Sequence, residues 1–537
     1  MPHPGEHYAA LASTNLQPGD VVYVKAGNYG NENIVFGKSV TAANPISFIG
    51  YKTTPGDAPP VLVTTATAAT TFNSADMPTY VGTSRNSGIA FEARDQKYLV
   101  FKNFQISNYA YGFLGGGASA TYGNLKLENV NAMTLGNPSS SYSGKGLQVG
   151  DMGTKFSDNN TMTNCLVINA GAEAFDINGN YNTLTGCKAF CNETGNLATD
   201  YYILVCGSYN AINNCYIERL AGISHGGHGM GAKTNAEQVV DQGLPYPAIP
   251  AQYNTFTNCT AVNMGESFYV RHRTAQYNVF TGCKAYGTHT GLDGSGGQGN
   301  CIMIRDGASS NTFNACTGEN CAGAILFEDT VEDGDTGVSP TGHPGNYNKV
   351  INCIFKNCYI GLEFSSYSVQ SDAGDNTIAN CTFYKTRYLH YAARHCTQMK
   401  YIGNIYYGTT DDPHGGSFKG NTYSSDIVAN GATTYFKQCD FIKIEGGMPA
   451  GFVGTNGNIA SDPLFVSSAN LHLTATSPCI DKVDAISLGD NPTDFDGNAR
   501  YSGVKSDIGA YEYGSASGTF IMLHPPEVIQ TMVKVKQ

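Results

Sequence analysis

The chain has 537 residues, 14% of them charged, with 64 glycines, 34 tyrosines, no tryptophan and a formal net charge of −12. A pI near 5.4 argues against nucleic acid or an anionic membrane as partner, since either needs a broad basic field, but leaves room for an acidic polymer in a local basic cleft. No apolar run is long enough to span a bilayer, and the polar residues after Met1 do not read as a signal peptide, so any export signal is expected to have been removed.

Abundant glycine and tyrosine with few charges describe many short strands joined by tight turns. Residues 6 to 15 read as a short capping helix that shields the end of a sheet, and Leu16-Gln-Pro-Gly-Asp-Val-Val-Tyr-Val-Lys-Ala-Gly27 as the first strand. Further on, the pattern Asn, four residues, Cys recurs eight times: Asn160/Cys165, Asn182/Cys187, Asn210/Cys215, Asn254/Cys259, Asn278/Cys283, Asn311/Cys316, Asn348/Cys353 and Asn376/Cys381. The cysteines are 22 to 44 residues apart, the length of one coil of a solenoid plus insertions of varying size on one side. In Asn254-Thr-Phe-Thr-Asn-Cys259 the alternation points Phe256 inward and Thr255 and Thr257 outward. Cys then stacks in the core as a small apolar filler, so these eight are expected to be free thiols rather than disulfides. The asparagines are expected at the coil corner, where Asn adopts unusual backbone angles and bonds neighbouring main chain.

The fold class that follows is all-β, a right-handed parallel β-helix with a short N-terminal capping helix. Residues 1–440 would form the helix that carries the site, 441–513 a β-rich extension of it, and 514–537 a tail to which the sequence assigns no role.

Aligning the inward pairs Phe175/Ile177, Ile203/Val205, Met230/Ala232, Phe268/Val270, Ile302/Ile304, Ile325/Phe327 and Leu362/Phe364 brings one outward column into register: Asn178, Cys206, Lys233, Arg271, Arg305, Glu328 and Ser365. Neighbours in such a column stand about 4.8 Å apart. Three consecutive cations then repel by roughly 1 to 4 kcal/mol per close pair, a cost that a polyanionic ligand would offset. The same repulsion would lower the pKa of Lys233 towards that of a general base. The plainer alternative pairs each cation with a nearby carboxylate such as Glu328 or Asp306. Arg273 and Tyr269 flank the column and would help to hold a ligand.

A second group sits where the same strands begin: Glu173, His228 and Glu266, with Asp200 one residue out of register. Such a set suits a divalent cation such as Ca2+, or acid and base work, or ordinary corner residues bonding main chain. His225 and His228 lie in the glycine-rich run Ser224 to Lys233, which lets a ligand approach the backbone closely. The segment Glu237 to Gln252, with three prolines, reads as a loop walling the cleft. Two acidic runs, Glu328 to Asp335 and Asp494 to Arg500, look like calcium loops but lack a full ligand spacing.

Gly231-Ala-Lys233-Thr-Asn235 followed by Tyr269-Val-Arg271-His272 resembles the Lys and Arg-His pair of β-helix polysaccharide lyases of the alginate lyase and chondroitinase B type. That resemblance implies Lys233 as base, Arg271 as neutraliser or acid, and His272 in support. The family's acidic calcium ligands just before the Lys are replaced here by Gly226 and His228. Gly227-His228-Gly229 also resembles the Gly-His-Gly of polygalacturonases, with Glu173 and Asp200 near their aspartates, although the paired aspartates are not reproduced. Asp462-Pro-Leu-Phe465, Ser477-Pro478 and Asp507 to Glu512 resemble the C-terminal segment of exported bacterial β-helix proteins.

The expected reaction is β-elimination on a uronic-acid polysaccharide. Arg271 and Arg305 would neutralise the sugar carboxylate, Lys233 would take the C5 proton, and His272, Tyr269 or Arg271 would protonate the departing O4. A glycoside hydrolase working through Glu173, Asp200 or Glu266 is the alternative, and a non-catalytic carbohydrate-binding β-helix a third. The expected setting is a secreted or periplasmic monomer acting on an acidic polysaccharide.

Overall fold

A computed structural model describes residues 16–37, 40–117, 122–138, 144–151, 156–193, 199–220, 227–234, 249–287, 299–329, 345–366, 375–391, 399–409, 417–418, 436–444, 451–484, 492–501 and 505–514. The region expected to form a capping helix, residues 6 to 15, and residues 515–537 of the tail lie outside them.

Every pairing between named strands is parallel, and each coil hands its strands to the next coil in the same order. The chain therefore winds as a right-handed parallel β-helix. One face is a 13-stranded sheet that takes one strand from each coil; the 26-stranded sheet closes the rest of the coil. No helix among the described residues is long and apolar enough to cross a membrane.

The repeat builds the corner. Asn254 Oδ1 accepts from both the main-chain N–H and the Nδ2 of Asn210, at 2.9 Å each, while its own Nδ2 donates to Gly207 O and Asn278 Oδ1. The same relay links Asn160, Asn182, Asn210, Asn254, Asn278, Asn311, Asn348 and Asn376 in one buried column. Main-chain bonding is thus as expected, but the unusual backbone angles belong to other residues. Left-handed φ falls on the residue before each ladder asparagine, such as Tyr181, Tyr209, Tyr253, Tyr277 and Tyr347, and on the residue before each cysteine, such as Asn164, Asn214 and Asn258. The exposed rings of Tyr181, Tyr209, Tyr253 and Tyr277 stack at 5.0–5.1 Å, which helps to offset the strain of that backbone.

All eight repeat cysteines are free and buried, and each thiol points at main-chain carbonyls, as Cys259 Sγ does to Ile212 O and Thr257 O. Inside, Phe256, Phe280 and Phe313 stack at 4.3 and 4.5 Å. The inward pairs read from the sequence line the core in register through successive coils.

The last strand among the described residues is Asp440–Ile442. Beyond it the chain folds back onto the outside of the late coils, where Leu471, Leu473, Cys479, Val483, Ile508 and Ala510 cover Ile354, Ile405 and Tyr407. Buried Arg500 pins this cover by donating to Asn352 Oδ1 and to the carbonyls of Gly509 and Ala510. Asp494 accepts from the main-chain N–H of Asp496, Asn498 and Glu512, so its carboxylate closes turns where the sequence suggested a calcium loop.

Candidate functional site

The outward face of the 13-stranded sheet carries the chemistry. In its middle run the strands Glu173–Asn178, Tyr201–Cys206, His228–Lys233, Glu266–Arg271, Asn300–Arg305 and Gly323–Asp329. Three rows cross them. The first row, where the strands begin, is Lys145, Glu173, Tyr201, His228, Glu266 and Asn300. The middle row is an apolar floor of Leu204, Tyr269, Met303 and Leu326, with Gly231 between the first two. Gly231 is required there, since an added Cβ would stand 2.1 Å from Tyr269 O. The third row contains Lys233, Arg271, Arg305 and Glu328 side by side, in the register read from the sequence.

Cation repulsion in the third row is answered largely within the protein. Asp306 Oδ2 accepts from Arg271 Nε and Arg305 Nε at 3.0 Å each, and Arg305 Nε also stands 3.3 Å from Glu328. This is the carboxylate pairing that the sequence offered as the plainer alternative. It turns Arg271, whose side chain is 3% exposed, and Arg305, 11% exposed, into one fixed arginine pair. Burial, opposed by Arg305, raises the Glu328 carboxyl above its ordinary value. Arg273, half-buried, packs its side chain against Gly307.

Lys233 is bound differently: Nζ donates to the Tyr201 hydroxyl at 3.0 Å. The two reach towards each other across the strand face, Tyr201 from the start of one strand and Lys233 from the end of the next. Tyr201 is also stacked on the His228 ring, with centroids 4.4 Å apart and planes 14° apart.

His228 stands between two carboxylates, with Nδ1 3.6 Å from Asp200 and Nε2 3.7 Å from Glu266. Burial disfavours its charge, but Tyr201, Glu266 and Asp200 outweigh that and raise it to about 9. It is therefore an imidazolium at neutral pH, and the row member between Glu173 and His228 is Tyr201 rather than Asp200. Asp200 precedes the strand, where its carbonyl accepts from His228 N–H at 2.6 Å.

Glu173 belongs to a separate group. Lys145 Nζ stands 2.5 Å from Asp176 and 3.6 Å from Glu173, both buried. Burial opposes the Lys145 charge, yet Asp176 and Glu173 hold the ammonium above its ordinary value. Burial pushes the Glu173 carboxyl up to about 7, against the pull of Lys145. The three carboxylates considered for Ca2+ are thus each turned to a cation of the protein: Glu173 to Lys145, Asp200 and Glu266 to His228. Among the described residues no group of three or more His, Cys, Asp and Glu side chains is placed to hold an ion.

Two expected proton donors are placed unfavourably. Tyr269 is fully buried in the floor, its hydroxyl donating to Ile203 O at 3.4 Å, and burial raises its pKa well above the ordinary phenol value. His272 is 2% exposed, has φ 76°, and is pushed well below the usual imidazole value by burial and by Arg271, Lys233, Arg305 and Arg273. A neutral His272 gives up a proton poorly. His225, the proline segment up to residue 248 and the acidic run after Asp329 lie outside the described residues.

No family model matches the chain, and no curated protein matches it either. Solved structures align with it at low sequence identity. A mannuronic acid specific polysaccharide family 6 lyase enzyme from human gut microbiota aligns at TM-score 0.47 and 12% identity, over 86% of this chain and 89% of its own. The alginate lyase from Paenibacillus sp. str. FPU-7 aligns at TM-score 0.37 and 12% identity, over 70% and 95%. The catalytic domain of a GH87 alpha-1,3-glucanase aligns at TM-score 0.43 and 16% identity, over 72% and 60%.

Proposed function

We propose that this protein is a polysaccharide lyase that cleaves a uronic-acid polymer by β-elimination. The observation that carries the proposal is the third row, in which Lys233, Arg271 and Arg305 stand on consecutive strands in register above an apolar floor. A uronate carboxylate held by the arginine pair loses negative charge, so its C5 proton becomes acidic enough for a neighbouring amine. Lys233 is the group beside that position, and Lys233 as an amine removes the proton. A polymeric substrate would be met outside the cytoplasm, so the reading goes with a secreted or periplasmic setting.

Incubation with a panel of uronate polysaccharides is the test, followed by the ultraviolet absorbance of the unsaturated product. Wild-type protein should give a steady rise on at least one polymer, and Lys233→Ala should lose about 10³-fold of the rate with its fold intact. New reducing ends without unsaturation would instead assign hydrolysis. That outcome would move the chemistry to Glu173, whose raised carboxyl is the kind of group a glycosidase uses as its acid.

A further inference from the structure

Elimination consumes one base and needs one acid, because the oxygen leaving C4 departs as an alkoxide unless it is protonated. Tyr269 and His272 are ill placed for that task, one donating to the main chain and the other buried among cations. A different phenol touches the base directly. We propose, resting on the lyase reading above, that Tyr201 is a further catalytic residue, the acid that protonates the leaving oxygen, and that Lys233 then restores its proton.

Three features of the site support this. Tyr201 Oη accepts the hydrogen bond from Lys233 Nζ at 3.0 Å, so the phenol's own hydrogen is directed away from Lys233. The ring is clamped by the stacked His228 at 4.4 Å and by the edge of Tyr269 at 5.9 Å, which fixes the hydroxyl without binding it. Tyr201 and Lys233 also reach their contact from opposite ends of their strands, above buried Leu204 and Gly231, so a sugar lying against that contact meets both groups.

The proton balance closes within the pair. The C5 proton passes to the Lys233 amine, the electron pair left at C5 becomes the C4–C5 double bond, and the C4–O4 bond breaks. O4 takes the phenolic proton of Tyr201. The Lys233 ammonium then returns a proton across the 3.0 Å contact to the phenolate, and both side chains recover their starting state. The net change is one proton moved from C5 to O4, with no exchange with bulk water required.

The decisive comparison uses two substrates: the polymer, whose leaving oxygen needs a proton, and a 4-deoxy-4-fluoro uronoside, whose fluoride leaves without one. Tyr201→Phe should lose about 10²-fold or more in kcat on the polymer, with KM little changed, yet stay within a few-fold of wild type on the fluoride. Lys233→Ala should fail on both. Difluorotyrosine at position 201, a more acidic phenol of the same shape, should shift the alkaline limb of the pH–rate profile to lower pH; this readout stands even if Tyr201→Phe folds poorly. An active wild type with Tyr201→Phe unimpaired on the polymer, or impaired equally on both substrates, would overturn the relay and leave the lyase standing. A wild type that forms no unsaturated product on any uronate would overturn both.

Discussion

The asparagine corner and the outward face of the 13-stranded sheet are built by the same coils, yet they follow opposite rules. At the corner eight successive coils offer the same residue, and Asn meets Asn seven times. On the outward face no two neighbouring strands of the middle run repeat the row pattern: Glu173, Tyr201, His228 and Glu266 differ at each step. Identity stacked on identity lets each asparagine oxygen accept from the rung before it and needs nothing from outside. A row of unlike charged and aromatic groups has to be balanced pair by pair, and its geometry favours a bound partner. In a repeat protein, function sits where the repeat is broken.

The largest effect should come from breaking the regular side. Asn254→Ala removes a side chain with four hydrogen bonds and strands the buried main-chain N–H of Asn210 and one hydrogen of its Nδ2, so thermal or denaturant unfolding should show a loss of about 3 to 5 kcal/mol. Activity per folded molecule should be unchanged, which separates the corner from the face.

A smaller effect should come from the irregular side. The folded-state pKa of His228 is raised from 6.5 to about 9, so its contribution to stability is fully present below pH 6.5 and is lost as pH rises through 9. Comparing wild type with His228→Gln across that window should give a difference that shrinks by up to about 3 kcal/mol. A difference independent of pH would mean that the imidazole is held neutral. The smallest effect should be at Tyr253→Asn, which gives up two ring stacks at the surface but relieves a tyrosine at φ 57°; unfolding should move by less than about 1 kcal/mol.

This division also governs how much could be read before any coordinates. The corner, the free core thiols, the inward pairs and the third row were legible because they depend only on spacing and on a side-chain period of two. Partners were harder. Asp306 was visible as a neighbour in sequence, but its grip on both arginines depends on how the turn after Arg305 folds back. Asp200 stands one residue out of register in the sequence, and the residue that fills the register position is the aromatic after it, Tyr201, which a pattern of carboxylates does not point to. Lys145 gave no signal, since the strand Lys145–Val149 precedes the first repeat cysteine and shares no marker with the coils that follow. Burial of Tyr269 could not be seen either, because an outward parity says which way a side chain points and not what covers it.

The asparagine relay has one more consequence, for the history of the chain rather than its chemistry. Each rung recognises only the next asparagine and carries no record of its place in the stack. A duplicated or deleted coil therefore rejoins the column without a mismatch, and the number of coils becomes a quantity that unequal crossing-over can change in whole steps. The exception is the stretch from Tyr201 to Arg305, where an extra coil would part residues that now touch. The late coils held by Arg500 form a second such block, so length can change only between the two or before the first.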